Sequence, residues 1–404
     1  RIFMIGYIVF VGGSFLSGIS PSINTLIGAR LIQGVGGAML LATSYAIISK
    51  FLPPDRTGWA FGITSTASAL GVATGAPLGG VITGYLSWHW IFFLNVPIGM
   101  LAIFVAYKNI PDEKDRKEHA SKEPFDFIGA ALSFVGLAIL LRAFNTGKEA
   151  GWGSPAILIS FLVSFIIFVI FFLREKRCAS PLLDLELFKN LKFVFALSAT
   201  FMAYLLISGN AFLLPFYLET IKGLNPQKTG MILLLYSVIY FFLSPYAGRL
   251  SDKINPSILC IVAMASASVN AFVFSFSMYE QGFVFVITFL IWLALSFVLF
   301  FSPNNNQIMS IAPAGKHGIA SGIFNTTINL STVFGVAIFE SVFSQFLPGI
   351  STKSANLLNA GIPREILLKG FSAAYVLGGI VCMLALGFSI MVMIQSKKRG
   401  GGHE

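Results

Sequence analysis

The chain has 404 residues, 56% of them hydrophobic and only 11% charged, where an ordinary soluble domain is about 25% charged. No soluble fold of this length has an interior large enough for that much apolar side chain, which excludes a soluble globular protein. The net charge of +10 invites a nucleic-acid partner, but the placement of the basic residues argues against one. Twelve apolar stretches of 17 to 27 residues recur along the chain: 2–19, 26–49, 59–85, 90–107, 127–144, 157–173, 193–218, 229–247, 258–278, 283–302, 318–343 and 371–394. A helix needs about 20 apolar residues to cross a bilayer's hydrocarbon core, and in lipid it satisfies its own backbone. A membrane β-barrel would instead show alternating segments of about ten residues. The predicted fold class is an all-α polytopic membrane protein with 12 transmembrane helices.

Nineteen of the 27 Lys and Arg residues fall on alternate joints: Arg1, Lys50 and Arg56, the 108–122 joint, the 174–192 joint, Arg249 and Lys253, Lys316, and 397–399. Six lie on the opposite set, and Arg30 and Arg142 lie within spans. Cytoplasmic joints carry the excess of Lys and Arg, so the first set is expected inside, with both ends of the chain cytoplasmic in a cell membrane. The charge is a topology signal, and no nucleic-acid partner is expected. Two long basic joints bracket the pair of spans at 127–173, which divides the chain into 1–108, 109–190 and 191–404. A third long joint, 344–370, is amphipathic and suits the membrane surface. The start carries no cleavable signal-peptide pattern. Beginning at Arg1 rather than Met, the chain reads as a fragment.

Within the spans, charge is costly and needs a reason. Arg30 stands a turn into the second span with Gln33 one turn on and Gly34 beside it. It is expected to face a water-filled cavity or a polar partner, as a substrate or proton-tuning cation or as a hydrogen-bond hub. In the third span Gly71, Gly75 and Gly79 recur every four residues on one helix face, with Pro77 and Gly80 alongside. That spacing serves close helix packing, or pliability where two halves rock. Asn210, with Tyr204, Phe212, Phe216 and Tyr217 near it, suits a greasy cavity. In the eleventh span Asn325 and Asn329 share a face, and Glu340 near its outer end is either a protonatable cavity carboxylate or a group snorkelling to the interface. Arg142 and Glu219 read as interfacial. Three scattered cysteines and four scattered histidines have no metal-ligand spacing, and no nucleophile or phosphate-cradling motif stands at a membrane face. No enzyme, metal or cofactor is expected.

Four motifs carry a resemblance. The joint Gly248-Arg249-Leu250-Ser251-Asp252-Lys253 resembles the cytoplasmic loop signature of the major facilitator superfamily, with Asp252 expected to cap the helix that follows. Arg30-x-x-Gln33-Gly34-x-Gly36 resembles that superfamily's fourth-helix motif. Gly71-x-x-x-Gly75-Ala76-Pro77-x-Gly79-Gly80 resembles its fifth-helix antiporter motif, with Pro displaced by one residue. Trp88-x-Trp90-Ile91-Phe92-Phe93-x-Asn95-Val96-Pro97-x-Gly99 is similar to the sixth-helix entry of the fourteen-helix drug:proton antiporters, as are 145–155 and 181–188 to later joints. The resemblance implies major-facilitator-type helical bundles, with this chain running from helix three to fourteen. It would then lack the first two helices, the first copy of the loop motif and the first-helix acidic residue of proton coupling. It implies proton-coupled efflux of drugs or amphipathic or cationic compounds by alternating access, powered by the proton gradient and partnered by the lipid bilayer, protons and a small molecule. A transporter of one specific metabolite and a non-transporting sensor are the alternatives. An accessory or periplasmic efflux partner is left open by the sequence.

Overall fold

The structure, a computed structural model, describes residues 2–53, 56–109, 126–178, 182–279, 282–313, 316–347 and 362–400. Among them there is no strand. In chain order the helices are α1 (Ile2–Gly18), α2 (Ile23–Phe51), α3 (Thr57–Tyr85), α4 (His89–Phe93), α5 (Asn95–Asn109), α6 (Phe127–Ala150), α7 (Pro155–Glu175), α8 (Leu185–Lys189), α9 (Leu191–Thr220), α10 (Pro226–Lys253), α11 (Pro256–Ser277), α12 (Phe283–Ile311), α13 (His317–Ser344) and α14 (Arg364–Gly400). Against twelve expected spans, ten helices are long and apolar enough to cross a membrane. α1 is apolar but, at 17 residues, short. The sixth-helix entry motif forms α4 and runs on into α5, so that His89–Asn109 acts as one apolar helix. This is a multi-pass membrane protein.

Polar residues punctuate the helix starts. Ser22 and Thr25 form a reciprocal capping box on α2. Asp126, Asn190, Asn225 and Asn255 each accept a backbone N–H at the starts of α6, α9, α10 and α11, as capping side chains do. Proline opens α7, α10 and α11, where its missing N–H costs nothing.

Helices α9 to α14 share one hydrophobic core, centred on fully buried residues such as Tyr217, Phe274, Phe289, Phe297, Phe371 and Tyr375. The earlier helices pair differently. α1 lies along α2 because Gly13 and Gly36 carry no side chain: a Cβ on Gly13 would sit 2.5 Å from the Gln33 nitrogen, and one on Gly36 would collide with the Phe10 backbone. α3 packs along α10, α2 meets α13, and α6 and α7 form a hairpin touching α13. A second cluster, including Phe61, Phe193, Ile308 and Phe324, joins early and late helices at the end where most Lys and Arg lie, here called the basic end. The expected amphipathic joint 344–370 is helical from Arg364 onward, and its residues 348–361 lie outside the described residues, as do 110–125 of the joint before α6.

Candidate functional site: the seam between early and late helices

At the basic end the start of α3 meets the end of α10. The motif 248–253 is not a loop but the last turns of α10. The Asp252 carboxylate accepts the Gly58 N–H at 2.8 Å and the Trp59 N–H at 3.0 Å, so it caps α3. This corrects the expectation that it caps the following helix; Asn255 does that, accepting the Ser257 N–H at 3.0 Å. The reason is local: α10 continues to Lys253, which leaves Asp252 facing sideways, and glycines let the two helices touch. A Cβ on Gly58 would collide with Ser251 and Asp252, and one on Gly248 with the Gly58 carbonyl. A carboxylate on two free amides at a helix N-terminus, where the macrodipole is positive, is a favourable charge-assisted contact. Ser244 Oγ continues the seam by donating to the Gly62 carbonyl at 3.0 Å. The Arg249 guanidinium lies 6.0 Å from the centre of the Trp59 ring. Lys253 is exposed in the last turn of α10.

A run not singled out from sequence completes the seam. α12 passes through Pro303 and continues to Ile311, burying Ser302, Asn304, Asn305 and Gln307. Its polar groups reach four neighbours. Ser302 Oγ donates to the Gly58 carbonyl (3.2 Å) and Asn304 Nδ2 to Thr200 Oγ1 (2.6 Å). Asn306 Oδ1 accepts from Thr57 Oγ1 (2.9 Å), and Gln307 Nε2 donates to Ser257 Oγ (2.8 Å). A proline followed by four consecutive amides, with no turn glycine, was the available sign that a helix continued past its apolar stretch.

Arg30 donates to Gln33 Oε1 at 2.7 Å and lies 5.2 Å from the Phe92 ring centre. Gln33, 4% exposed, passes the chain on to Ser14 Oγ at 2.7 Å. The structure thus brings Arg30 and Gln33 together in the α1–α2 contact, and the close glycine there is Gly36; Gly34 has open space beside it. Asn325 Nδ2 donates to the Leu41 carbonyl of α2 at 3.0 Å, across the seam. Asn329 donates to the Asn325 carbonyl (2.9 Å) and is exposed. Glu340 is half-buried on the same α13 face, since 325, 329, 336 and 340 follow the helical repeat. Asn210 instead belongs to the late core, where Tyr375 Oη donates to its Oδ1 at 2.7 Å. Tyr217, expected to line a cavity, is 1% exposed and donates to the Met278 carbonyl at 3.2 Å. It is a core residue, because a hydroxyl placed under that carbonyl satisfies both buried groups.

A family model for the Major Facilitator Superfamily matches residues 1–336. The chain belongs to this superfamily. It is 31% identical over 86% of its length to the riboflavin transporter RibZ of Clostridioides difficile, covering 74% of that protein. It is 26% identical to the multidrug resistance protein Stp of Mycobacterium tuberculosis, over 94% of this chain and 71% of that one. To the lincomycin resistance protein LmrB of Bacillus subtilis it is 25% identical, over 93% and 78%. The fold is that of the human organic anion transporter MFSD10, with a TM-score of 0.64 at 13% identity over 96% of this chain and 76% of that one. The proton:xylose symporter XylE, bound to a bromo-deoxyglucose, gives 0.60 at 15%, over 96% and 78%.

In this facilitator the third-span glycines behave unlike Gly58 and Gly248. A Cβ on Gly71, Gly75 or Gly79 would meet no described atom within 4 Å. Pro77 and Gly80 lie in the same helix, but their side-chain surroundings fall outside the described residues. At the base of the α6–α7 hairpin, Asp126 takes a two-pronged contact from Arg174 (2.8 Å at the shortest) and the Gly129 N–H at 2.9 Å. The Arg174 guanidinium and that amide hold its carboxyl at about 2. Lys316, just before α13, bridges Asp184 (2.5 Å) and Glu186 (3.0 Å), and these carboxylates raise its pKa. Among the described residues there is no cluster able to hold a metal ion.

Proposed function

We propose that this facilitator exports amphipathic or cationic compounds, drugs among them, in exchange for protons, and that it belongs to the fourteen-helix drug:proton antiporter branch. The observation that carries the reading is the seam at the basic end. A secondary transporter alternates by rocking one bundle against the other around a midplane site. A cap that one helix group places on the other (Asp252 on the start of α3) is a contact that forms in one access state and breaks in the next. The basic end is taken as cytoplasmic by the excess of Lys and Arg there. The seam closes that side, so the arrangement is the outward-facing member of the cycle, in a cell membrane with both chain ends inside. The moving units are proposed as the helices within 1–108 and those within 191–404, with the α6–α7 hairpin between them. The α13 face bearing Asn325, Asn329 and Glu340 lines the pathway beside α2, and Arg30 with Gln33 sets its polarity from the other side. Similarity to multidrug and lincomycin resistance proteins supports efflux of drugs.

The test is efflux from cells or vesicles expressing the chain. Extrusion of a fluorescent cation should depend on the proton gradient, collapse with a protonophore, and fail in Arg30→Ala although that variant still inserts. Silence across a broad dye and drug panel refutes the reading. A second reading, transport of one specific metabolite, draws on the riboflavin transporter as a relative. It predicts a growth or sensitivity phenotype on one compound and none on the panel.

A further inference from the structure

At the basic end of the α6–α7 hairpin lies a cleft of about 480 Å³, lined among the described residues by Leu173, Arg174, Arg177 and Cys178. It is remote from the contact between α3 and α10. α7 has 21 residues, about 31 Å at 1.5 Å per residue, which matches the roughly 30 Å of a bilayer's hydrocarbon core. Its last turn therefore stands at the depth of the lipid headgroups. Beyond Glu175 the chain folds back on the helix end: the Arg177 and Cys178 N–H groups both donate to the Arg174 carbonyl, at 2.8 and 2.9 Å. That turn gathers Arg174, Arg177 and the Cys178 thiol around one cleft.

Arg174 is fixed from one side. Its Nε and Nη2 donate to the Asp126 carboxylate at 2.8 to 3.2 Å, and the Asp126 side chain is 1% exposed where that of Arg174 is 36% exposed. Nη1 makes no hydrogen bond among the described residues, so an oriented guanidinium keeps a free edge. A guanidinium is a planar fork that matches phosphate oxygens, and one already held in place loses little freedom on binding. Lys176 and Arg177 are exposed and form no ion pair among the described residues. The neighbouring carboxylates are committed elsewhere. Asp126 serves Arg174 and the Gly129 N–H, and Glu175, 2% exposed, accepts the Leu183 N–H at 3.0 Å; neither lines the cleft. The site thus offers spare positive charge and no described carboxylate to meet an ammonium group. Phe127 and Ile128 on α6 and Phe172 and Leu173 on α7 are exposed at the same end of the hairpin, a surface for acyl chains beside a seat for a headgroup.

We propose that this cleft binds the phosphate of an anionic glycerophospholipid and prefers it to a zwitterionic one, whose ammonium finds no partner there. Basic pockets at the cytoplasmic ends of membrane helices hold such headgroups. The proposal goes beyond the transporter reading and does not depend on which compound is moved. The chain supplies its own reporter: of its three cysteines Cys260 and Cys382 are buried, whereas Cys178 is half-exposed and lines the cleft. In phosphatidylcholine nanodiscs Cys178 should react readily with N-ethylmaleimide, and added phosphatidylglycerol should slow that reaction saturably. Phosphatidylethanolamine should not slow it, nor should soluble glycerol 3-phosphate, which separates a lipid site from a free-phosphate site. Arg177→Gln should raise the phosphatidylglycerol fraction needed for half the effect about fivefold, the factor that one basic residue near an anionic surface gives. Arg177→Lys should restore most of the protection. Lys253→Gln, an equal change of charge on α10 at the same end, should leave it unaltered. Equal shifts in Arg177→Gln and Lys253→Gln would reduce the effect to diffuse surface charge and overturn the proposal. So would labelling indifferent to phosphatidylglycerol, or slowed as much by phosphatidylethanolamine or by glycerol 3-phosphate.

Discussion

The early and late helices are held in different ways. In α9, α11 and α12, 50%, 56% and 50% of the most apolar 18 residues are buried inside the protein, against 11% in α2 and 11% in His89–Asn109. The late group therefore has a core of its own, with aromatic stacks such as Phe274 on Phe289 at 3.9 Å. The early helices leave their apolar flanks open, as lipid-facing helices do, and meet neighbours through small residues that let backbones approach. They meet the late group along α3 and α10, through the apolar cluster of Phe61, Phe193 and Phe324, and through polar contacts at Gly58, Gly62 and Leu41. A group with its own core, joined to a lipid-facing one partly through polar contacts, is mechanically suited to relative motion, since those contacts exchange their hydrogen bonds for water when they open.

The strongest way to break this asymmetry is to fill the backbone contact. Gly58→Leu places a side chain where a Cβ alone collides with Ser251 and Asp252. It should cost at least the ~1–3 kcal/mol typical of overpacking, read as a lowered melting temperature in detergent. Gly71→Leu, facing no described atom within 4 Å, should stay within about 0.5 kcal/mol of the parent. Equal losses at both sites would remove the distinction between the two glycine sets. Next in size is Asp252→Asn, which keeps the shape and removes the charge from the α3 N-terminus. A cap with a dipole contribution is worth ~1–2 kcal/mol. A cysteine at Ser244, which is 0% exposed, should then react with a polar maleimide about 5–30 times faster. No change in rate would mean that the cap does not hold the seam.

How far the sequence reveals this seam depends on where each partner sits. Ten of the twelve expected spans, the basic end and the superfamily were legible because apolar length, Lys and Arg placement and short motifs are local signals. Asp252 was legible as a capping carboxylate, but its partner Gly58 is 194 residues away, and nothing local points there. The 302–307 run was read as the end of a span because its hydropathy falls. It stays helical and buried because Thr57, Thr200 and Ser257 on three other helices satisfy its amides, a match visible only in three dimensions.

Within each group a buried polar link sets the next scale of effect. Tyr375→Phe leaves Asn210, 8% exposed, without its donor in the late core, and should cost about 1–2 kcal/mol as an unsatisfied buried amide. Gln33→Leu cuts the link between Arg30 and Ser14 in the early pair. Because Arg30 is exposed, water can reach its freed guanidinium, and the expected loss is below about 1 kcal/mol. Parallel thermal melts of the two variants measure the difference, and a Gln33 effect larger than the Tyr375 effect would reverse the contrast between the groups.

The smallest effect belongs to the α6–α7 hairpin, which touches the rest of the described protein mainly at α13. Asp126 is held at about 2, below its ordinary 3.8, first by the Arg174 hydrogen bonds and then by the Gly129 amide. A carboxyl whose folded value is depressed adds stability above its unfolded value, and loses it as pH falls through the folded one. Asp126→Asn should therefore lower the melting temperature slightly at pH 7, and the gap should start to close below about pH 4. It should vanish only as pH falls below about 2, where the parent carboxyl is also neutral. A gap that persists unchanged to that pH would show that shape, rather than the ionised pair with Arg174, ties the hairpin's two helices at their base.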